Sequence, residues 1–456
     1  MADELLIRLY DVGLGDCIYV RIPGKTAKKE DAFHMLIDCG TWSEEQLLAT
    51  AIKQLEGELP VAAAGGKKRL DLVVVTHEHK DHIAGFDPKV FASLDVRAVW
   101  MNCAMNPKHP QAKKTRKLRG VAATAMRGLA ALGPGIGARA EELLSVFQIN
   151  NAGAMQTLRK TLLKGREPTY VHAGQTNETH DIKLHKAKIH VLGPEFDFDH
   201  FYLGKAADGA LQSALAAAGL DVEEEGGTAT EDDAVQPAEV PAVKLPLPSN
   251  ISPAAFRALC ARMQSNALAF AELDGKLKNN SSMVLLIEWN GKRLLFVGDA
   301  EWSGAFKDGK MNGAWNVMWK KRKALLGKPV DFLKIGHHGS ENATPWDMGK
   351  GTVTEASEIL DAILPLPKGG RAPTARAVVS TERGKYRTIP RALLMTEIAR
   401  RVRDSRVYAP DLAGFKAKNK ADFDELERKW LNQAQPLRTD FERIRKPTGF
   451  IDVKFS

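Results

Sequence analysis

The chain has little cysteine: four residues in 456, at Cys17, Cys39, Cys103 and Cys260. Four thiols cannot staple a chain of this length, and their spacing matches no zinc knuckle. Disulfide scaffolds and zinc fingers are therefore excluded, and free thiols in a reducing cytosol are expected. No apolar run approaches the roughly 18 residues of a transmembrane helix, so none is expected. The first residues, MADELLIRLYDVG, show no basic segment followed by an apolar one, so a cytoplasmic protein without a secretory leader is expected. There is no internal repeat and no collagen or heptad pattern. What is present is ordinary globular composition, 44% hydrophobic and 27% charged, which excludes a chain disordered throughout. The length allows one large domain with insertions or two to three ordinary domains. Lys and Arg number 65 against 56 Asp and Glu, a net charge of +9. That balance favours polyanionic partners such as nucleic acid or phosphate esters.

The pattern along the chain is strand-rich at both ends. Residues 4–22 read as two strands around a turn supplied by Gly13 and Gly15. A strand over 33–38 ends at Cys39-Gly40, and a helix is expected over 43–55 with Ser43 as its N-cap. Strands are expected over 70–75 and 95–100. Residues 106–168 break this rhythm with a basic stretch and an Ala/Leu-rich segment, and strand character returns over 169–192. Residues 223–249 have the composition of a flexible linker. A helix is expected over 253–272, and strands over 283–289 and 293–297 joined by the turn Asn290-Gly291. Strands over 330–335, 377–380 and 450–455 and a helix over 390–403 complete the pattern. Alternating strands and helices imply layered α/β architecture.

Four groups carry chemistry, all at the C-terminal ends of expected strands, where loops of layered α/β folds converge on a site. The sequence His77-Glu78-His79-Lys80-Asp81-His82 follows an apolar strand. A tight loop there presents three imidazoles and a carboxylate to one point, the donor types that zinc, manganese and iron accept. Gly298-Asp299 ends another apolar strand, which suits a carboxylate bridging two ions. His337-His338-Gly339-Ser340 ends a third strand, and Asp38 a fourth.

THEHKDH resembles the HxHxDH signature of the metallo-β-lactamase fold superfamily, and the order Asp38, HxHxDH, Asp299, strand-end His is the same. More narrowly, the chain resembles the hydrolase domain of the ComEC/Rec2 competence proteins. The carriers are Asp11-Val12-Gly13-Leu14-Gly15-Asp16, Asn279-Asn280-Ser281-Ser282-Met283-Val284-Leu285, Gly298-Asp299 and His337 to Ser340. AVVS followed by Lys385-Tyr386-Arg387-Thr388-Ile389-Pro390, and Arg438-Thr439-Asp440 with Gly449-Phe450-Ile451, extend the likeness. Leu14 stands where those proteins carry Gln, and Arg387-Thr388-Ile389 stands where they carry Gly-His before Pro.

The resemblance implies a four-layer αββα fold with helical and low-complexity insertions. Its segments would be 1–103 and 277–456 as the two halves of the fold, 169–203 as further fold strands, and 104–168 and 204–276 as insertions. It implies a metal-dependent hydrolase with two divalent ions, zinc by default and manganese as the alternative. His77 and His79 would serve one ion and Asp81 and His82 the other, with Asp299 bridging and His338 as the last ligand. His337 is the alternative last ligand; otherwise it lies beside the ligands or acts as the general acid. Asp81 would position the attacking hydroxide. Asp16 and Asp38 would orient ligands, and His172, His180, His185 and His190 are the candidates for a further superfamily histidine. The expected substrate is a phosphodiester, supported by the net charge, the basic stretch over 106–120 and Lys320-Lys321-Arg322-Lys323, with Trp315 and Trp319 able to stack on bases. A small-molecule ester, lactone, thioester or cyclic nucleotide is the alternative, and a non-catalytic binding module is a third reading.

Overall fold

The computed structural model describes residues 4–26, 28–62, 66–112, 152–203, 252, 273–346, 353–369, 371–382, 389–403, 442–443 and 449–456. The basic stretch beyond residue 112, the linker over 223–249 and the helix expected over 253–272 lie outside these residues, as do Lys385 to Thr388 and Arg438 to Asp440.

The first part of the chain forms β1 (Leu5–Tyr10), β2 (Cys17–Ile22), β3 (Phe33–Cys39), α1 (Glu45–Glu58), β4 (Lys68–Leu70), β5 (Leu72–Val75), α2 (Lys80–Ile83), β6 (Leu94–Val96) and β7 (Val99–Asn102). Then come α3 (Ala152–Gln156), β8 (Thr169–Val171) and β9 (Ala187–Gly193). The last part forms β10 (Val284–Trp289), β11 (Lys292–Phe296), α4 (Ala314–Leu326), β12 (Phe332–Ile335), α5 (Glu355–Ile363), β13 (Arg376–Ser380), α6 (Ala392–Ala399), β14 (Glu442–Arg443) and β15 (Phe450–Phe455). None of the described helices is long and apolar enough to cross a membrane.

Two mixed sheets dominate. One has seven strands in the order β15-β1-β2-β3-β5-β7-β8, and the other has six in the order β14-β13-β12-β11-β10-β9. In the first, β15 to β3 run antiparallel and β3, β5, β7 and β8 run parallel. In the second, β9 to β11 are antiparallel and β11 to β14 parallel. Parallel neighbours end at the same edge of a sheet, so the turns after β11 and β12 open side by side at one edge of the six-stranded sheet.

Period-two alternation sorts the side chains. Leu5, Ile7, Ile18, Val20, Met35, Ile37, Leu72 and Val74 share one buried cluster with Ile189, Val191, Leu285, Ile287, Phe296 and Phe332 of the other sheet. The alternate residues of the first sheet, such as Leu6, Tyr19, Val73 and Val75, pack with Leu48, Ile52 and Leu55 of α1. The alternate residues of the second, such as Leu286, Leu295 and Leu333, pack with Trp315 and Met318 of α4, Ile359 and Leu360 of α5 and Leu394 and Ile398 of α6. Burial on both faces explains why these strands read as near-continuous apolar runs. The architecture is mixed α/β with two large sheets, consistent with a metallo-β-lactamase fold.

Some sequence expectations shift. The strand expected over 70–75 is two strands, because the chain changes sheet at Asp71, whose Oδ2 accepts the His34 N–H at 3.0 Å. The strand expected over 95–100 likewise divides between β6, which pairs with β4 in a separate two-stranded sheet, and β7. The N-cap of α1 is Glu44 rather than Ser43, and the Glu44 N–H is taken by Thr41 Oγ1 at 3.0 Å. Trp315 and Trp319 are 0% and 7% exposed and belong to the core under α4, so they are not available to stack on bases. The Asn290-Gly291 turn is as expected, with φ of 46° and 79°, the left-handed pair that a type I′ hairpin requires.

Candidate metal centre

The loop after β5 begins the site. The Thr76 N–H and Oγ1–H donate to Asp38 Oδ1 and Oδ2 at 2.8 and 2.6 Å, which pins the end of β5 to the end of β3. Asp38 Oδ2 also lies 2.7 Å from His82 Nδ1. With its Nδ1–H given to Asp38, His82 turns Nε2 toward the cluster, where that buried atom makes no well-formed hydrogen bond among the described residues. A carboxylate orienting a ligating imidazole through its far nitrogen is a common arrangement in metal sites. Gly40 permits this packing: a Cβ there would fall 2.3 Å from the Asp81 carbonyl carbon and the His82 nitrogen.

The six-stranded sheet supplies the rest. Asp299 follows β11, and its N–H donates to Ser282 Oγ at 3.2 Å. Its two oxygens face different partners, Oδ1 at 3.2 Å from His82 Nε2 and Oδ2 at 3.5 Å from His77 Nε2. His338 follows β12, with Nδ1 2.7 Å from Ser380 O and Nε2 2.7 Å from Asp81 Oδ2. Asp38, His337 and His338 have φ of 54°, 42° and 52°, which is costly for residues bearing a Cβ and tolerated where the surroundings enforce it. That geometry separates the tandem histidines. His338 enters the buried cluster, whereas His337 stays 26% exposed with Nδ1 3.1 Å from Ser340 Oγ and 3.5 Å from Glu301 Oε1.

The structure thus brings together His77, His79, Asp81, His82, Asp299 and His338. The donor atoms of Asp81, His82, Asp299 and His338 lie within 4.8 Å of one another, as do those of His77, His79 and Asp299. Two bonds of about 2.1 Å to one ion allow at most about 4.2 Å between donors, so both groups are close to coordination spacing. Asp16, Asp38 and His82 form a third such group beneath them. His172, His180, His185 and His190 are in none of these groups. His172 Nδ1 contacts Ala173 O at 3.0 Å, His180 Nε2 meets Gln175 Oε1 at 3.2 Å, and His190 Nε2 meets Glu288 Oε2 at 3.1 Å.

Electrostatics support a cation here. Asp16, Asp38, Asp81 and Asp299 are buried together, with Lys334 as the buried ammonium nearby. Uncompensated carboxylates in such surroundings are unfavourable by several kcal/mol each. Burial raises the Asp81 carboxyl, yet His82 and His338 outweigh it and hold Asp81 below the ordinary carboxylate range. The same competition leaves Asp299 far below that range, against burial, through His82, His337 and His77. Burial lowers His82, but Asp299, Asp81 and Asp38 drive it well above an ordinary imidazole. His77 and His79 are pushed down chiefly by burial, His79 to about 4. His77 and His79, neutral beside the ionised Asp81 and Asp299, are in the state in which imidazoles bind a metal, whereas His82 and His338, raised by those same carboxylates, give up a proton on binding one.

Residues 11–88 match the family model of the metallo-β-lactamase superfamily. The matched segment runs from the DVGLGD turn through Asp38 and the His77–His82 loop, and a domain of that superfamily implies metal-dependent hydrolysis. The buried His and Asp groups fit divalent metal binding. No curated protein matches the chain.

Sequence reasoning passed over three contributors. Glu301 is buried, accepts from Asn279 Nδ2 at 2.9 Å and approaches His337. Asn102 holds the end of β5 through Nδ2 and Thr76 O at 2.7 Å. Lys334 reaches across from the other sheet. Its signal was a lone cation inside the apolar run VDFLKI.

Proposed function

We propose that this chain is a dinuclear metal-dependent hydrolase of phosphodiesters on a four-layer αββα scaffold, a cytoplasmic relative of the hydrolase domain of the competence proteins. His77, His79 and Asp299 would hold one ion, and Asp81, His82, Asp299 and His338 would hold the other. The observation that carries this reading is the carboxylate of Asp299, one oxygen toward each group of donors. Divalent ions bound there, zinc by default and manganese as the alternative, would supply Lewis acidity for a phosphoryl oxygen and activation of water.

The chain's own groups do the rest. Asp81 orients the attacking water through its carboxylate. His337, partly open to solvent, hands a proton from Nε2 to the leaving oxygen while Nδ1 faces Glu301 and Ser340. Excess positive charge favours an anionic substrate. Part of the α4 cluster is committed elsewhere: Arg322 pairs with Glu195, and the Lys323 ammonium lies 4.5 Å from the Trp319 ring centre.

The test is elemental analysis of the purified protein, followed by turnover of bis-p-nitrophenyl phosphate and plasmid DNA by wild type, His79→Ala and Asp299→Ala. About two ions per chain are expected, with turnover lost in both variants. Metal without phosphodiester turnover moves the substrate to a small ester or lactone. No metal overturns the hydrolase reading.

A further inference from the structure

Beneath the cluster a lysine stands where strand alternation calls for an apolar side chain. Phe332 of β12 faces the interior between the sheets, and Leu333 and Ile335 face the helices. Lys334 therefore shares the side of Phe332, and it is 1% exposed. Its Nζ donates to Asp16 Oδ2 at 2.9 Å and to Ile335 O at 3.0 Å. Asp16 belongs to the opposite sheet, on the turn between β1 and β2. Its N–H donates to Asp81 O at 2.9 Å, and its carbonyl accepts the Gly40 N–H at 2.9 Å. Its other oxygen, Oδ1, has no hydrogen-bond partner among the described residues. The ammonium thus ties the strand that delivers His338 to the turn that holds Asp81.

Stability alone does not account for such a pair. Desolvation of two buried ions offsets most of their attraction, and apolar residues of similar volume commonly serve as well or better. Geometry supplies another reason. The group Asp81, His82, Asp299 and His338 draws two donors from each sheet, whereas His77, His79 and Asp299 take only one from across. An error in the spacing of the sheets falls harder on the first of these groups.

We propose that Asp16 and Lys334 are positioning residues that set the distance between the sheets at the Asp81, His82, Asp299, His338 group, and so its metal affinity. This rests on the dinuclear reading above. The experiment compares wild type, Asp16→Asn, Lys334→Met and the double variant, using zinc alone as the probe. Stepwise affinities come from competition with a chromophoric chelator, and the Tm of the metal-free protein from circular dichroism. Each single variant strands a buried charge and should melt early, while the double variant strands none and should regain the wild-type Tm. In the double variant one of the two zinc affinities should fall about 10- to 100-fold, the range for removing an outer partner of a ligand. The other should stay unchanged, and kcat should fall with KM unchanged. Recovery of both zinc affinities together with Tm would make the pair mere packing and overturn the proposal. A wild type that binds no zinc would instead bring down the dinuclear reading itself.

Discussion

The seven-stranded sheet delivers His77, His79, Asp81 and His82 from one short loop after β5, whereas the six-stranded sheet delivers Asp299 and His338 from the ends of two separate strands. The first set is a local device. Its spacing follows from a turn and four residues of helix, held by Asp38 and Thr76. The second exists only because β11 and β12 are parallel neighbours whose turns open at one edge. A motif can therefore announce half of a site, while the other half depends on strand order.

The largest expected effect separates the halves. Asp299→Ala removes the residue common to both groups and should strip both ions, lowering turnover by at least about a hundredfold, the upper end of the loss from an outer partner alone. His79→Ala should release only the ion on its own side. Metal counting on the two proteins decides this; equal retention in both would mean that Asp299 does not bridge.

Packing should show no such asymmetry. Ile37 and Ile287 face each other's sheet in the shared core. Ile37→Ala and Ile287→Ala should each cost about 2–5 kcal/mol in urea denaturation, the sum of lost transfer energy and residual cavity. A cost confined to one sheet would mean that the sheets do not share a single core.

Acid should act on the seven-stranded side through His34. This imidazole is fully buried between Tyr19 Oη at 2.7 Å and Lys29 O at 2.9 Å, and burial lowers its pKa from 6.5 to about 4. Between these values the unfolded chain binds the proton and the folded chain does not. Stability from this residue is therefore full above about 6.5 and falls as pH drops toward 4, by about 3 kcal/mol in all. His34→Gln should flatten that part of the pH dependence of urea midpoints; an unchanged slope would assign it elsewhere.

The smallest expected effect lies under the six-stranded sheet. Thr354 Oγ1 accepts the Ser357 N–H at 3.2 Å in a capping box at the start of α5. Thr354→Ala should cost about 1 kcal/mol, measurable as a lower Tm with turnover unaffected.

Much of this was legible in the chain. The strand runs are apolar because both faces are covered, and HEHKDH and the strand-end Asp and His are chemically conspicuous. The breaks at Asp71 and between β6 and β7 were not legible, since KRLDLVVV and DVRAVW carry no glycine or proline to mark a change of sheet. Thr354 and Ser357 carry a cap signal that sits in an otherwise unremarkable stretch. Trp315 and Trp319 sit beside a basic run, and only the packing of α4 on the six-stranded sheet turned them inward.

The amino-acid sequence by itself determined the donor types, their grouping after apolar strands, the near-continuous apolar runs of strands covered on both faces and the Asn290-Gly291 hairpin. These follow from local chemistry: side-chain hydrophobicity, turn preference and the affinity of imidazole and carboxylate for metals. Only the tertiary structure decided that His338 rather than His337 enters the cluster, that Asp299 faces both donor groups, and that Lys334 crosses to Asp16. Each of those depends on distances between segments far apart in the chain, set by how the two sheets stack.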